Sequence, residues 1–441
     1  MDVVYQKMQD DLAKSGGGLN LLKNWNCAGE FCVRVRVFLD PGWESVNDLP
    51  AVCGSQGPAS RSGGAPARSG GFSVAATPCG FSFVGNWNQS KFLWTAVAAL
   101  LVVACVASVG AAAPSSPAPS SQELKIYFVD VEGGQATLFV TPAGQSLLID
   151  TGWDGNNGRD ADRIVAAAKN AGVHKIDYVL ITHFHEDHVG GLPQLVARIP
   201  VGTFLDHGDN REVGDAPTVQ GWQAYQKLVA TGKFRRLTLK PGDTLPVKGI
   251  HGTVISSDGA LIEKPLPGAG QENASCKESE QRPPDKTENL RSLGTLITFG
   301  KLKILDLGDL TWDKEMELMC PVNKLGKVDI YIVSHHGWQQ SSSPALAHGI
   351  TPRVAIMDNG AKKGGTPSTW EIIKSSPHLE DLWQLHFSEE GGSAHNVTPE
   401  FIANPEGAPD AGNYLELIAK TDGSFDVFNS RTAKTKHYAA Q

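Results

Sequence analysis

Six consecutive residues, His183-Phe184-His185-Glu186-Asp187-His188, constrain this chain more than any other stretch. They put three imidazoles and two carboxylates just after an apolar, strand-like run, Ile176-Asp177-Tyr178-Val179-Leu180-Ile181, and Gly190-Gly191 follows one valine later. A core strand cannot bury so many ionisable groups without partners, because desolvation is too costly. A solvated loop has no need of three histidines. Imidazole and carboxylate donors together suit borderline divalent cations, zinc above all. In an extended or turning segment, His183 and His185 can face one ion while Asp187 and His188 serve a second close by.

Four other segments have a related form. Leu147-Leu148-Ile149-Asp150-Thr151-Gly152 is an apolar strand ending in Asp-Thr-Gly. Leu302 to Asp309 is a strand ending in Gly308-Asp309, and Asp329 to Gly337 is a strand ending in His335-His336-Gly337, with Ser341-Ser342-Ser343 beyond it. Phe128 to Ala136 holds Glu132-Gly133-Gly134 between two strand-like runs. Together with the histidine-rich run, the set resembles the metallo-β-lactamase superfamily over roughly residues 124–430. The Phe128–Ala136 and His-His-Gly segments are similar to the branch of competence hydrolases and choline-phosphate esterases.

That resemblance implies an α/β fold, a four-layer αββα sandwich. It implies two divalent ions, zinc by default, with manganese, iron or calcium as alternatives. The ligands it carries over are His183, His185, Asp187, His188, Asp309 as a bridge, and His335. Neighbouring strand residues point to opposite faces, so only one of the paired histidines is expected to face the ions, and His336 is the fallback. Asp150 would support the metal loop, Asp306 reads as a strand or turn carboxylate, and Asp187 would also orient the attacking water. Many superfamily members carry another ligand histidine before the Gly-Asp strand, in a His-rich glycine turn. No such turn exists here. His207 and His251 are the nearest candidates, His207 dividing evenly between ligand and loop residue; water could complete the site instead.

The expected reaction is hydrolysis by a metal-activated water. A secreted lactone or ester hydrolase, with acyl-homoserine lactones as a quorum-quenching substrate, is favoured because residues 181–191 and 329–343 hold no Lys or Arg to grip a phosphate. A phosphodiesterase or nuclease of the competence type is the alternative, and a metal-holding protein without turnover the third. Tyr225 and Tyr331 are candidate hydrogen-bond donors to substrate, although buried tyrosines more often belong to the core.

Composition adds limits. The 441 residues are 41% hydrophobic and 20% charged, enough for a large core. Residues 1–113 carry a net +1 against −8 for the whole chain, leaving −9 on residues 114–441. An acidic chain argues against nucleic acid as partner and for a small molecule. Residues 1–83 show no stable periodicity and read as a non-native or disordered extension. Residues 84–113 have a lysine, a short apolar run and Ala111-Ala112-Ala113, the form of a secretory signal. A Pro/Ser linker, 114–123, follows. Val102-Val103-Ala104-Cys105 resembles a lipobox, so lipidation at Cys105 would tie an exported protein to a membrane. After cleavage only Cys276 and Cys320 remain; an oxidising compartment could pair them.

Periodicity predicts strands at 124–131, 136–140, 146–150, 177–182, 252–257, 294–299, 302–307, 414–420 and 424–429, and helices at 160–171, 220–230 and 366–376. Residues 262–288, polar and rich in Pro, Glu and Lys, read as a long exposed loop, and 431–441 as a C-terminal tail.

Overall fold

The structure is a computed structural model that describes residues 122–407 and 410–441, together with four short strands nearer the N-terminus. The chain divides into two units, Met1–Val109 and Gly110–Gln441. In the first, Gly17–Leu22 pairs with Arg34–Leu39 and Asn26–Cys27 with Glu30–Phe31, both antiparallel. The expected extension therefore contains two small ladders. The signal-like segment 84–113, with Cys105, and linker residues 114–121 lie outside the described residues. Among the described residues no helix is long and apolar enough to cross a membrane.

The second unit is built on two sheets. Its strands are β1 (Glu123–Phe128), β2 (Thr137–Val140), β3 (Ser146–Ile149), β4 (Ile176–Leu180), β5 (Val201–Asp206), β6 (Arg235–Thr238), β7 (His251–Ser257), β8 (Ala260–Leu261), β9 (Gly294–Phe299), β10 (Leu302–Asp306), β11 (Ile330–Ile332), β12 (Val354–Met357), β13 (Asp381–His386), β14 (Ile402–Asn404), β15 (Leu415–Lys420), β16 (Phe425–Asn429) and β17 (Lys434–Tyr438). One sheet runs β6-β5-β4-β3-β2-β1-β15-β16-β17, the other β8-β7-β9-β10-β11-β12-β13-β14. Strands β3 to β6 are parallel, as are β10 to β14.

Strand alternation explains the layering. Leu124, Ile126 and Phe128 of β1 join Ile304, Ile330 and Ile332 of the opposite sheet in one buried cluster between the sheets. Their neighbours Tyr127 and Val129 point the other way and pack with Ala161, Ile164 and Ala168 of α1 (Arg159–Asn170). Leu305 and Tyr331 likewise face outward, against α5 (Trp312–Met319) and α6 (Pro344–Ala347), as do residues of α7 (Pro367–Lys374). Between α1 and α5 in the chain lie two short helices, α2 (Glu186–Val189) and α3 (Leu192–Val196), and the longer α4 (Ala216–Ala230). Helix, sheet, sheet and helix give the αββα architecture the resemblance implied.

Three differences from the sequence reading have clear causes. Helix α4 starts at Ala216 rather than Gln220, because Asp215 caps it by accepting from Thr218 N at 2.9 Å, with Pro217 in the first turn. The C-terminal tail is in part a strand: β17 pairs with β16, and buried Tyr438 stacks on Phe425 at 4.7 Å. The 262–288 loop is tied down as well as exposed. Gln271–Glu272 pairs with Val322–Asn323, Asn273 Nδ2 donates to Met319 O and Ala345 O, and Cys276 is disulfide-bonded to Cys320 with Cα atoms 5.8 Å apart.

The parallel segments of both sheets end on the same side. Asp150 follows β3, His183 follows β4, Asp309 follows β10, and His335-His336 follows β11. Parallel sheets gather ligand-binding loops at such carboxyl ends.

Candidate metal centre

Each donor is placed by the end of a strand, and each is oriented by a second residue. Asp150, fully buried, accepts from Thr182 N at 2.8 Å and from Thr182 Oγ1 at 2.7 Å, and its Oδ2 lies 2.7 Å from His188 Nδ1. His188 therefore donates Nδ1–H outward and turns the lone pair of Nε2 inward. Thr182 Oγ1, having donated to Asp150, accepts from His183 Nδ1 at 3.0 Å. This frees His183 Nε2, which lies 3.0 Å from His185 Nδ1 and 3.9 Å from Asp309 Oδ2. The Asp150–Thr182 pair thus sets the tautomers of two histidines, as the outer partners of metal ligands do.

The glycines let the loops approach. A Cβ on Gly134 would lie 2.4 Å from the Asp187 carbonyl, and one on Gly191 would lie 2.1 Å from the Thr151 carbonyl. Gln135 N donates to Asp187 O at 3.2 Å and Thr151 N to His188 O at 2.7 Å, pinning the histidine-rich loop to the β1–β2 and β3 turns.

Asp187, His188, Asp309 and His336 offer ligand atoms that all lie within 4.8 Å of one another, and all four are buried. His336 Nε2 is 3.1 Å from Asp187 Oδ2, 3.2 Å from His188 Nε2 and 3.5 Å from Asp309 Oδ1. His335 Nε2 lies 3.3 Å from Asp309 Oδ2. Both paired histidines face the cluster. Alternation does not apply, because the strand stops at Ile332 and the backbone turns left-handed at both residues, φ 56° and 55°. That conformation is costly for a non-glycine residue. It is held by His335 N donating to Gly308 O and by Gly365 N donating to His336 O.

The charges describe a cavity built for cations. Burial opposes ionisation of Asp187, yet Lys363 and His188 hold its carboxyl well below the usual range. Burial likewise opposes ionisation of Asp309, and His188, His335 and His336 overcome it. Burial lowers His183, and pushes His335 down to about 4. His188 is raised well above its ordinary value and His336 to about 9 against their burial, chiefly by Asp309. Carboxylates buried together in this way draw positive charge into the cavity, the role a divalent ion would fill. Asp309 Oδ1 is buried without a hydrogen-bond partner. A cation would supply the missing partner, and the donor set of imidazoles and carboxylates suits zinc or a similar ion.

Other expected residues fall elsewhere. His207 is buried with Nε2 3.0 Å from Glu288 Oε2, and it lines a cavity of about 480 Å³ together with Arg211, Arg236 and Lys240. It is a structural partner of Glu288 and stands outside the four-residue cluster. His251 is exposed on β7. Tyr225 OH donates to Asp206, and Tyr331 OH to Ser334 Oγ, so both tyrosines are spent within the core. Ser341 Oγ, from the serine loop, lies 3.2 Å from His335 Nδ1. Asp306 accepts from Gln135 Nε2 at 2.6 Å and from Gly308 N at 3.0 Å, and burial raises it to about 7.

Two contributors carry no local sequence signal. Lys363 contacts Asp187 through its ammonium, which also lies 4.8 Å over the Trp153 ring. Asn289, at the end of the long loop, brings Nδ2 to 3.5 Å from His335 Nε2.

Residues 129–271 match the model of the metallo-beta-lactamase superfamily. These residues belong to that superfamily. The chain is 23% identical over 259 residues to "Recombination protein 2" of Haemophilus influenzae, covering 58% of this chain and 26% of that protein. It is 29% identical over 185 residues to a ribonuclease Z of Methanopyrus kandleri, covering 39% of this chain and 60% of that protein. The chain therefore spans less than two thirds of either relative. The metallo-beta-lactamase fold protein YhfI of Bacillus subtilis aligns at 13% identity and TM-score 0.37, covering 59% of this chain and 95% of that one. Metal-dependent hydrolysis is the general chemistry of the superfamily.

Proposed function

We propose that this chain is a metal-dependent hydrolase of phosphodiesters. The observation that carries the reading is Lys363. The strand-end segments 181–191 and 329–343 hold no Lys or Arg, which by itself favours a neutral lactone. The fold supplies the missing charge from the loop after β12, directly beside Asp187. An ammonium at that point serves an anionic substrate and offers little to a lactone.

A pair of divalent ions in the cluster would supply a water acidified to near-neutral pKa and a Lewis acid for the scissile group. The chain's own residues do the rest. Asp187, a member of the cluster that also contacts Lys363, would orient the water. Lys363, its side chain 20% exposed, can reach a non-bridging phosphoryl oxygen from the solvent side while Trp153 limits its range. His185 is also partly exposed, its Nε2 3.0 Å from Glu212 Oε2. The likeness to a ribonuclease Z supports phosphodiester chemistry, and the acidic chain favours a small substrate over long nucleic acid. The Cys276–Cys320 bond supports the expected export to an oxidising compartment.

The test is a substrate panel on chelated and metal-restored protein: bis-p-nitrophenyl phosphate, an acyl-homoserine lactone and a cephalosporin. Phosphodiester turnover that disappears on chelation and returns with zinc or manganese is expected. Lactone opening with no phosphodiester turnover would transfer the assignment to the lactonase reading.

A further inference from the structure

We infer that the cavity beside His207 binds the phosphate group of a small molecule, at a site separate from the metal cluster. The inference rests neither on the metal centre nor on which bond is cut there.

The cavity, about 480 Å³, opens where the parallel neighbours β5 and β6 end. His207 to Asp209 follow β5, Leu239 to Pro241 follow β6, and Ser257 and Asp258 approach from the β7–β8 turn. Its volume lies in the range of small-molecule sites, and carboxyl ends of parallel strands are where such sites form. Three cations line it, Arg211, Arg236 and Lys240, against two carboxylates, Asp209 and Asp258. Positive charge is in excess here although residues 114–441 carry −9.

Three of these groups have bonding capacity to spare. Arg236 is fixed by fully buried Asp206, which accepts from Nε at 2.6 Å and from Nη2 at 3.1 Å. Its Nη2 also donates to Gly208 O at 2.6 Å, and the Trp222 ring lies 5.4 Å from the guanidinium. Among the described residues Nη1 has only Asp209 Oδ1, at 3.5 Å, on a side chain 68% exposed. A guanidinium held this way loses little freedom when its unspent edge meets an oxyanion. The Lys240 ammonium is in no ion pair among the described residues.

His207 supplies the third group. It is 2% exposed, and its Nε2 lies 3.0 Å from Glu288 Oε2. Burial opposes ionisation of Glu288, yet His207 and the Arg211 N–H hold its carboxyl below the usual range. Nε2 therefore carries the hydrogen and Nδ1 the lone pair. Among the described residues that buried Nδ1 has no hydrogen-bond partner, a condition that calls for one. The imidazole nitrogen needs a donor, while the guanidinium and ammonium need acceptors. Phosphate offers both, since its second ionisation lies near about pH 6 and a P–OH persists beside charged oxygens. A carboxylate at neutral pH offers acceptors alone.

The cavity adjoins the metal loop without being part of it. Glu288 N donates to Glu212 Oε2 at 2.8 Å, and that oxygen lies 3.0 Å from His185 Nε2. Two carriers of the phosphate fit this placement, the far end of the hydrolysed molecule and a separate small molecule.

The test titrates chelated, metal-free protein with inorganic phosphate at constant ionic strength, while NMR follows the His207 ring nitrogens. They should move and saturate together with the Gly208 and Lys240 amides, a reading that needs no variant to fold. Arg211→Met combined with Lys240→Met should weaken binding by about tenfold or more. Both side chains are exposed, and Arg291 still pairs with Asp258 at 2.7 Å, so the fold should persist. Lys363→Met should leave phosphate affinity unchanged. His207 signals unmoved at any phosphate concentration that keeps the protein soluble would overturn the inference. So would full affinity in the double variant, or affinity lost in Lys363→Met, which would put the anion in the metal cluster. With metal restored, a nucleoside p-nitrophenyl phosphodiester is compared with the same ester bearing a second phosphate on its sugar. A lower KM for the second, lost in the double variant, assigns the bound phosphate to the substrate; equal KM values assign it to a separate molecule. Hydrolysis of neither ester would count against the phosphodiesterase reading and leave the binding result intact.

Discussion

Replacing Asp150 with asparagine should weaken metal binding although Asp150 stands behind the donors, on Thr182 and His188 Nδ1. The backbone there is left-handed, φ 59°, which asparagine adopts readily, and an amide oxygen can keep the 2.8 Å bond from Thr182 N. The change falls on Oδ2. An amide nitrogen in its place presents hydrogens to His188 Nδ1, now 2.7 Å away, and to Thr182 Oγ1. His188 must then give up its Nδ1 proton and carry it on Nε2, the atom that faces the cluster. The Thr182 hydroxyl must turn to accept, and its own proton then points at His183 Nδ1, 3.0 Å away, with the same consequence for His183 Nε2. Loss of an outer partner to a metal ligand typically costs 10- to 100-fold in affinity, about 1.4–2.7 kcal/mol. Here one carboxylate serves a histidine of each position, so both dissociation constants should rise by about that factor. Competition against a chromophoric chelator measures the two constants, and circular dichroism checks that the fold persists. Wild-type affinity at both positions in Asp150→Asn would refute the tautomer argument.

Three further outcomes follow from other parts of the molecule. Lys363→Met should raise KM for bis-p-nitrophenyl phosphate by about tenfold or more, the worth of a charged hydrogen bond, beyond whatever loss it causes for a neutral ester through Asp187, which Lys363 also holds ionised; equal effects on both would remove Lys363 from substrate binding. The Cys276–Cys320 bond spans a sequence separation of 44, so replacing both cysteines by serine should lower stability by about 4 kcal/mol in the chain-entropy account, read from urea unfolding, and no change in midpoint would contradict it. Glu315 is wholly buried, and burial raises it from 4.5 to about 7 even though Ser342 N and Ser343 N donate to it. The folded state therefore holds a proton that the unfolded chain releases. This contribution to stability is complete below about pH 4.5 and is lost as pH rises through about 7. Thermal unfolding of metal-free protein should show this decline, and Glu315→Gln should flatten it.

Much of this architecture was legible because strand patterns and metal donors obey local rules. The run 183–188 had few physical alternatives, and the strands leading to Asp309 and His335 announced themselves as apolar runs ending in polar donors. The alternation of Ile304 and Leu305, or Ile330 and Tyr331, between two buried faces is what gives a sandwich its near-continuous hydrophobic strands. What escaped depended on where loops travel. Lys363 sits in a glycine-rich loop with no motif, which packs closely on Gly133 through Gly360 and Lys363 and so reaches Asp187. Asn289 and Glu288 end a stretch whose composition says only that it is polar. Both His335 and His336 face inward because three hydrogen-bonded loops force a left-handed turn, and alternation offers no warning of that. Cysteine spacing could not show that Cys276 and Cys320 meet, since their approach is fixed by the short ladder at Gln271–Glu272.

The most direct measurement is activity against bound metal. Protein freed of metal by chelation is titrated with zinc while bis-p-nitrophenyl phosphate hydrolysis is followed, with Asp309→Ala in parallel. Turnover should be absent without metal, rise to a plateau at two equivalents per chain, and fail to appear in Asp309→Ala at any zinc concentration that leaves the protein soluble. Turnover that survives chelation, or that Asp309→Ala retains, would contradict the assignment of this cluster as the catalytic centre.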